Sequence, residues 1–487
     1  MFSKEATSSN DNNIKWIDAK PFIFGKAFND TKSYYDRLPS DREGVVTDAV
    51  WSLSRDSAGM YASFETNTTT MSLNVTYLNE DCEMYHFPTT GVCGMDLYAK
   101  DETSSKWRWV STTRNNKYPY SLNSMTVVSS TSSSMIKYKL HLPTYNGVVN
   151  LQIGINENSV ITKYDDKKSK KVLWYGTSIT QGGVASRPGQ IFTNIISRNL
   201  EDVRVYNFGF SGNGLMSLHV ADALVRVPDV SLFVIDCSWN MNASLIESNT
   251  IPLIRYLRTQ YVKNDVPIVL AEDTTAGAAW VDTNLSQEQE DKRHALRSSF
   301  ETLNQEFENI YYVSRDSLFN FTQFGYEKPV LNPTAAGCHP TDLGMYAVAN
   351  FYTDMIPKIL SSSCSSSKSC SRLPVTRSNS NIIIIENNTQ TQEDTTQWVN
   401  VSKSEIPVIG RAFTNETFDE NYFYRFPTNA KDDLREEVWN LSKFNTGMGV
   451  AFTTNSPSIS IEYVLENNAT GLWHMCPLGT SGLGTYL

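Results

Sequence analysis

Between residues 172 and 313 the chain sets down five short apolar runs, each followed by a stretch with helical periodicity. The runs are Val172-Leu173-Trp174-Tyr175, Val203-Arg204-Val205-Tyr206, Leu232-Phe233-Val234-Ile235-Asp236, Pro267-Ile268-Val269-Leu270-Ala271 and Ile310-Tyr311-Tyr312-Val313. Largely apolar runs that do not alternate with polar residues suit strands buried on both faces. The helical patterns lie at 190–200, 215–225, 251–261, 287–307 and 343–360. Alternation of this kind is met by a parallel sheet with helices on both faces, an α/β architecture. Ligand sites of such sheets gather at the carboxyl ends of the strands.

On either side of this segment one pattern occurs twice. Val50-Trp51-Ser52-Leu53-Ser54 returns 388 residues later as Val438-Trp439-Asn440-Leu441-Ser442. At the same offset Gly59-Met60, Phe64, Thr66-Asn67, His86, Gly94 and Tyr98 match Gly447-Met448, Phe452, Thr454-Asn455, His474, Gly482 and Tyr486. Gly25-Lys26-Ala27-Phe28 resembles Gly410-Arg411-Ala412-Phe413. The first copy alternates apolar and polar residues around 60–66 and 71–77, with further strands expected at 107–112, 136–142 and 148–155. Short strands at close spacing predict a β-sandwich. The expected layout is a β-sandwich over 15–160, an α/β domain over 168–360, a Ser-rich linker over 361–395 and a partial repeat of the sandwich over 396–487. A chain of 487 residues accommodates that many units.

Four motifs follow strands of the central segment. They are Tyr175-Gly176-Thr177-Ser178-Ile179-Thr180, Asn207-Phe208-Gly209-Phe210-Ser211-Gly212-Asn213-Gly214, Asp236-Cys237-Ser238-Trp239-Asn240-Met241 and Gly337-Cys338-His339-Pro340-Thr341-Asp342-Leu343-Gly344. In order and spacing they resemble the four blocks of the SGNH, or GDSL-type, hydrolase and esterase superfamily. The branch resembled reads Gly-Thr-Ser in its first block and carries an N-terminal β-sandwich; the likeness covers roughly residues 15 to 360. It implies a flavodoxin-like, three-layer α/β domain that cleaves esters.

The resemblance also implies roles. Ser178 is the nucleophile, and needs a base because a serine hydroxyl is weakly nucleophilic at neutral pH. His339 is that base, with an intrinsic pKa suited to taking and returning a proton. The backbone N–H groups of Ser178 and Gly212 and the side-chain amide of Asn240 form the oxyanion hole. Glycine at 212 permits close backbone approach, and an amide donates without adding negative charge. Taken singly, Ser178 reads equally as a helix N-cap, Gly212 as a turn glycine, Asn240 as a helix cap and His339 as a structural histidine. His86, His141, His219, His294 and His474 read as surface or core residues.

The pattern has one departure. The family places Asp three residues before the histidine, where this chain has Ala336, and no carboxylate lies between Glu327 and His339. The expected device is a Ser–His dyad with a backbone carbonyl or water behind the imidazole. Loss of an orienting carboxylate costs on the order of 10⁴ in turnover while leaving catalysis above background. Asp342 suits the N-terminus of the last helix rather than the missing role, and the bulk of Trp239 narrows a pocket. The expected function is hydrolysis of a carboxylic ester, with removal of a small acyl group such as acetyl from a carbohydrate. The alternative is a weakened or inactive hydrolase fold that binds carbohydrate.

No cofactor or metal is expected, and the partner is a small-molecule or carbohydrate ester. A net charge of −10 argues against nucleic acid or an anionic membrane as partner, and no run is long enough for membrane insertion. Met1-Phe2-Ser3-Lys4-Glu5 has no signal-peptide core. Eleven Asn-x-Ser/Thr sequons tilt toward a secretory route. Among seven cysteines, Cys82 with Cys93 and Cys364 with Cys370 are candidate pairs, while Cys237 and Cys338 read as small buried hydrophobes.

Overall fold

The computed structural model describes residues 14–113, 122–125, 134–274, 276–319, 333–362, 398–401, 408–410, 423–454, 456, 459–465, 475 and 477–483. The candidate Cys364–Cys370 pair, most of the Ser-rich linker, Phe413 and His474 lie outside these residues. The described residues fall into two units, Met1–Arg372 with Asn467–Leu487, and Leu373–Glu466.

The first unit begins with two antiparallel sheets. Their strands are β1 (Ile14–Asp18), β2 (Ile23–Phe24), β3 (Tyr61–Thr66), β4 (Met71–Tyr77), β5 (Asp96–Asp101), β6 (Lys106–Thr112), β7 (Leu122–Met125), β8 (Ile136–His141), β9 (Val148–Asn156) and β10 (Ile161–Lys163). One sheet runs β1-β9-β4-β7 and the other β10-β3-β8-β5-β6, with β2 also on β3. Alternate residues of facing strands meet in one core: Met71, Leu73 and Val75 of β4 and Leu151, Ile153 and Ile155 of β9 pack with Phe64 of β3 and Tyr138 of β8. That two-residue period is why the stretch is legible as a sandwich. A disulfide joins Cys82 and Cys93.

A parallel sheet follows, built from β11 (Lys170–Gly176), β12 (Val203–Gly209), β13 (Val230–Asp236), β14 (Ile268–Ala271) and β15 (Ile310–Val313), in the order β12-β11-β13-β14-β15. Helix α1 (Asp48–Ser54) and α2 (Thr89–Val92) belong to the sandwich region; α3 (Ser178–Gln181), α4 (Phe192–Asn199), α5 (Leu218–Leu224), α6 (Ala243–Gln260), α7 (Thr283–Glu306), α8 (Arg315–Leu318) and α9 (Asp342–Ser362) accompany the parallel sheet. Each strand supplies both faces. Leu173 and Tyr175 of β11 pack with Leu253 of α6 and Leu296 of α7, while Val172 and Trp174 pack with Ile196 of α4 and Ile356 of α9. The order reverses about β11, so the segments after β11, β12 and β13 open into one crevice. Helix α6 starts eight residues before the pattern expected at 251, because Asn242 caps it through Oδ1 to the Leu245 N–H at 2.9 Å. Pro252 stands inside that helix.

Buried polar groups join the sandwich to the parallel sheet. Arg37 donates through Nη1 to the carbonyls of Gly209 (2.7 Å) and Asn207 (3.3 Å). Asp96, fully buried, accepts from Arg187 Nη1 (2.6 Å), Trp109 Nε1 (2.8 Å) and the Gly189 N–H (3.0 Å). Deleting this buried carboxylate takes the charged partner from the partly buried Arg187 guanidinium and the acceptor from the Trp109 and Gly189 N–H groups. Asp96→Ala is expected to lower unfolding free energy by about 3–5 kcal/mol, measurable as a shifted denaturant midpoint.

The second unit repeats the local construction of residues 23–62. Val408–Ile409 pairs antiparallel with Gly449–Val450, as Ile23–Phe24 pairs with Tyr61–Ala62. Helix α10 (Glu436–Ser442) corresponds to α1, and the Arg425 N–H meets the Ser442 carbonyl as that of Arg37 meets Ser54. Gly25 and Gly410 share a φ of +77°; at each, a Cβ would strike the carbonyl oxygen of Gly59 or Gly447. Among the described residues no helix is long and apolar enough to cross a membrane.

Candidate active site

The first motif turns abruptly from strand to helix. Thr177 caps α3 through its hydroxyl, and Ser178 is the first helical residue rather than the cap. A Cβ at Gly176 would lie 2.1 Å from Thr180 Oγ1 and 2.8 Å from the Asp236 carbonyl oxygen, so only glycine admits the turn. Ser178 is 5% exposed. Its Oγ lies 2.8 Å from His339 Nε2.

His339 arrives on a small hairpin. β16 (Thr334–Ala335) pairs with β17 (His339–Pro340), setting Ala335 opposite His339. The connecting residues Ala336 (φ +54°) and Gly337 (φ +77°) are left-handed. The Gly277 N–H donates to the Gly337 carbonyl at 2.6 Å, tying the loop to the segment after β14. Among the described residues, neither a carbonyl nor a carboxylate stands behind the imidazole: Cys338 Sγ lies 2.9 Å from Nδ1. Cys338 is thus partly exposed beside the His339 ring, not the buried hydrophobe expected, whereas Cys237 is fully buried. Burial, and secondarily the neighbouring His86, pushes the His339 pKa down to about 4.

The remaining motif residues border the same crevice. Gly212 has φ +67°. Among the described residues, neither the Ser178 nor the Gly212 backbone N–H donates to another protein atom. The Asn240 Oδ1 accepts the Gly214 N–H at 3.1 Å. That bond assigns the amide so that Nδ2 is the unengaged end. Asp342 opens α9, as its place before Leu343 suggested, and accepts from the Ser186 N–H (2.8 Å) and hydroxyl (2.5 Å). Trp239 packs partly into the core of the α4 and α9 face, with Lys292 Nζ 5.5 Å from its ring centre. No group of three or more His, Cys, Asp or Glu side chains suited to a metal occurs among the described residues.

The sandwich supplies part of the site, which the sequence did not announce. The Tyr145 hydroxyl donates to the Ser178 carbonyl at 3.2 Å. Gln181 gives its amide protons to Asp56 Oδ2 (2.9 Å) and the Thr144 carbonyl (3.0 Å), and its Oε1 accepts the Ser211 N–H (3.0 Å). One side chain therefore locks α3, the Gly212 loop and the sandwich together. His86 is a core residue by burial, yet its ring centre lies 5.4 Å from that of His339. A cleft of about 410 Å³ opens there, lined by His86, Pro88, Val184, Ser186, Leu343 and Met475 among others. Tyr85, 65% exposed, stands over His86 with ring centres 4.2 Å apart.

Comparison with known proteins gives the following. A model described as the N-terminus of SGNH-hydrolase-type esterases, GxDLY, matches residues 14–161 and again 396–487. Its signature is Gly94-Met95-Asp96-Leu97-Tyr98 here. A model of the GDSL-like lipase/acylhydrolase family matches residues 169–357. A solved GDSL-like lipase from Bacteroides ovatus ATCC 8483 is 25% identical, with a TM-score of 0.65, over 72% of this chain and 98% of that one. The salicylyl-acyltransferase SsfX3 from a tetracycline biosynthetic pathway is 14% identical, with a TM-score of 0.56 and the same coverage, a likeness of fold. No curated protein matches the chain.

Proposed function

Because the chain belongs to the GDSL-like lipase/acylhydrolase family, with its SGNH-type N-terminal domain present in front, we propose that it cleaves carboxylic esters through an acyl-serine intermediate. The observation carrying this reading is the 2.8 Å contact between Ser178 Oγ and His339 Nε2. In the proposed sequence Ser178 Oγ attacks the ester carbonyl carbon as its proton passes to Nε2. The carbonyl π pair moves to oxygen, and the oxyanion takes hydrogen bonds from the N–H groups of Ser178 and Gly212 and from Asn240 Nδ2. The intermediate collapses, the C–O bond to the alcohol breaks, and His339 returns the proton to the leaving oxygen. Water then repeats the attack on the acyl-serine, with His339 again as base, releasing the acid.

The substrate we favour is a small acyl ester, such as acetate, on a carbohydrate. The His339 side carries the leaving alcohol in this mechanism, and the cleft there is lined by His86, on whose ring the exposed Tyr85 stands, an aromatic suited to the apolar face of a sugar ring. Acetate release from an acetylated oligosaccharide, compared with hydrolysis of p-nitrophenyl acetate, tests both levels. Turnover of both by the wild type and of neither by Ser178→Ala supports the full reading. Turnover of the aryl ester alone removes the carbohydrate. Binding of the oligosaccharide with no turnover of either ester favours a carbohydrate-binding protein that retains the fold, the reading suggested by Ala336.

The depressed His339 pKa sets a pH dependence. A general base acts only when neutral, so activity is lost as pH falls through its pKa. kcat/KM is expected to rise through a limb near pH 4 and stay flat to neutrality. A limb at 6.5 or above contradicts the burial found at this site.

A further inference from the structure

We infer that the Cys338 thiol is the positioning partner of the His339 imidazole, doing with sulfur what this family does with a carboxylate. The inference rests on the ester-hydrolase reading for its kinetic consequences, but not for its geometry. For Ser178 Oγ–H to donate to Nε2, that nitrogen must be unprotonated, and Nδ1 must carry the ring's proton. A ring held in that tautomer needs an acceptor behind Nδ1. Cys338 Sγ lies 2.9 Å from it.

Among the described residues, the groups around His339 leave no rival. Ser178 meets Nε2. His86, from the sandwich, presents a ring to its side. The Tyr145 hydroxyl is committed to the Ser178 carbonyl. The nearest acid in the chain, Asp342, is committed to Ser186. Ala336, at the position three residues before the histidine, is exposed and its side chain has no polar atom.

The hairpin explains how an adjacent residue reaches back. Consecutive left-handed residues at 336 and 337 coil the loop, and the Gly277–Gly337 hydrogen bond holds the coil in place. Cys338 is thereby directed at the ring it precedes. Burial raises the thiol pKa, so the group acts as neutral sulfur. Neutral sulfur accepts weakly. It fixes the ring's orientation and tautomer while stabilising the imidazolium far less than a carboxylate does. A site built this way has a well-placed but weakly basic histidine.

The test uses the full chain with Cys338→Ala, Cys338→Ser and Cys338→Asp, read by pH–rate profiles and by NMR of the His339 ring. Cys338→Ala is expected to lose about tenfold or more in kcat with KM nearly unchanged, below the ~10⁴ cost of removing a full carboxylate partner. Cys338→Ser, whose hydroxyl also accepts, is expected to keep kcat within about threefold of wild type. Cys338→Asp is expected to raise the acid limb by about one pH unit or more, because an anion beside the ring favours its charged form. Ring NMR is expected to show the Nδ1-protonated tautomer in the wild type and its loss in Cys338→Ala. Full kcat in Cys338→Ala, or an unmoved limb and ring pKa in Cys338→Asp, overturns the inference. The NMR arm needs no turnover. A wild type that fails to hydrolyse esters but shows the tautomer shift therefore counts against the function and not against the sulfur contact.

Discussion

Ser178→Ala is expected to lower kcat by about 10³-fold or more, with folding and thermal midpoint close to wild type. The change removes one oxygen from a side chain that bears no part of the core, while Thr177 continues to cap α3. His339→Ala is expected to fall to a similar floor, since a serine without its base is no better than no serine. The informative result is the pair. Residues that act as one unit are non-additive, so Ser178→Ala/His339→Ala is expected to be no slower than the worse single variant. Multiplied losses would mean that the two side chains act independently, against the pairing that the 2.8 Å contact implies.

The second large effect belongs to Asn240. Its Oδ1 is engaged by the Gly214 N–H, which leaves Nδ2 as the end available to a developing oxyanion. Asn240→Ala is expected to cost about 10²–10³ in kcat with little change in KM, the usual result of removing one oxyanion donor. Because it also strips an acceptor from Gly214, the variant alone cannot separate donation from scaffolding. Asn240→Asp separates them. A carboxylate keeps an oxygen for Gly214 but offers no proton and adds repulsion, so its activity is expected to be as low as that of Asn240→Ala. Recovery in Asn240→Asp would assign the residue to loop support.

Much of this molecule could be read from its residues, for a physical reason. Strands buried on both faces, such as Leu232–Asp236 within β13, need unbroken apolar runs, and the helices between them need a covered stripe. These patterns are local. The ends of those runs locate Ser178, Gly212 and Asn240, because motifs placed directly after strands of a parallel sheet share one crevice. The start of α6 is not legible because its first two turns are mostly polar and its beginning is set by the Asn242 cap rather than by a continuous apolar stripe.

What the sequence concealed is contact between distant segments. His86 sits in a stretch with no catalytic spacing, and only the packing of the sandwich on the α/β layer brings its ring to His339. Tyr145 and Gln181 are similar. Each looks like an ordinary polar residue until the sandwich closes over α3 and their hydrogen bonds are counted. Cys338 was hidden differently. Small and apolar in composition terms, it takes its place behind the imidazole only because Ala336 and Gly337 both adopt left-handed backbone.

The account stands on Ser178 being a nucleophile that His339 activates. Exposure of the full chain to diethyl p-nitrophenyl phosphate measures this directly, since the attacking oxygen bonds to phosphorus as nitrophenolate leaves. The predicted result is a single diethylphosphoryl adduct, mapped to Ser178 by peptide mass spectrometry, absent in Ser178→Ala and formed far more slowly in His339→Ala. An unlabelled wild type, or an adduct on another residue that persists in Ser178→Ala, would contradict it.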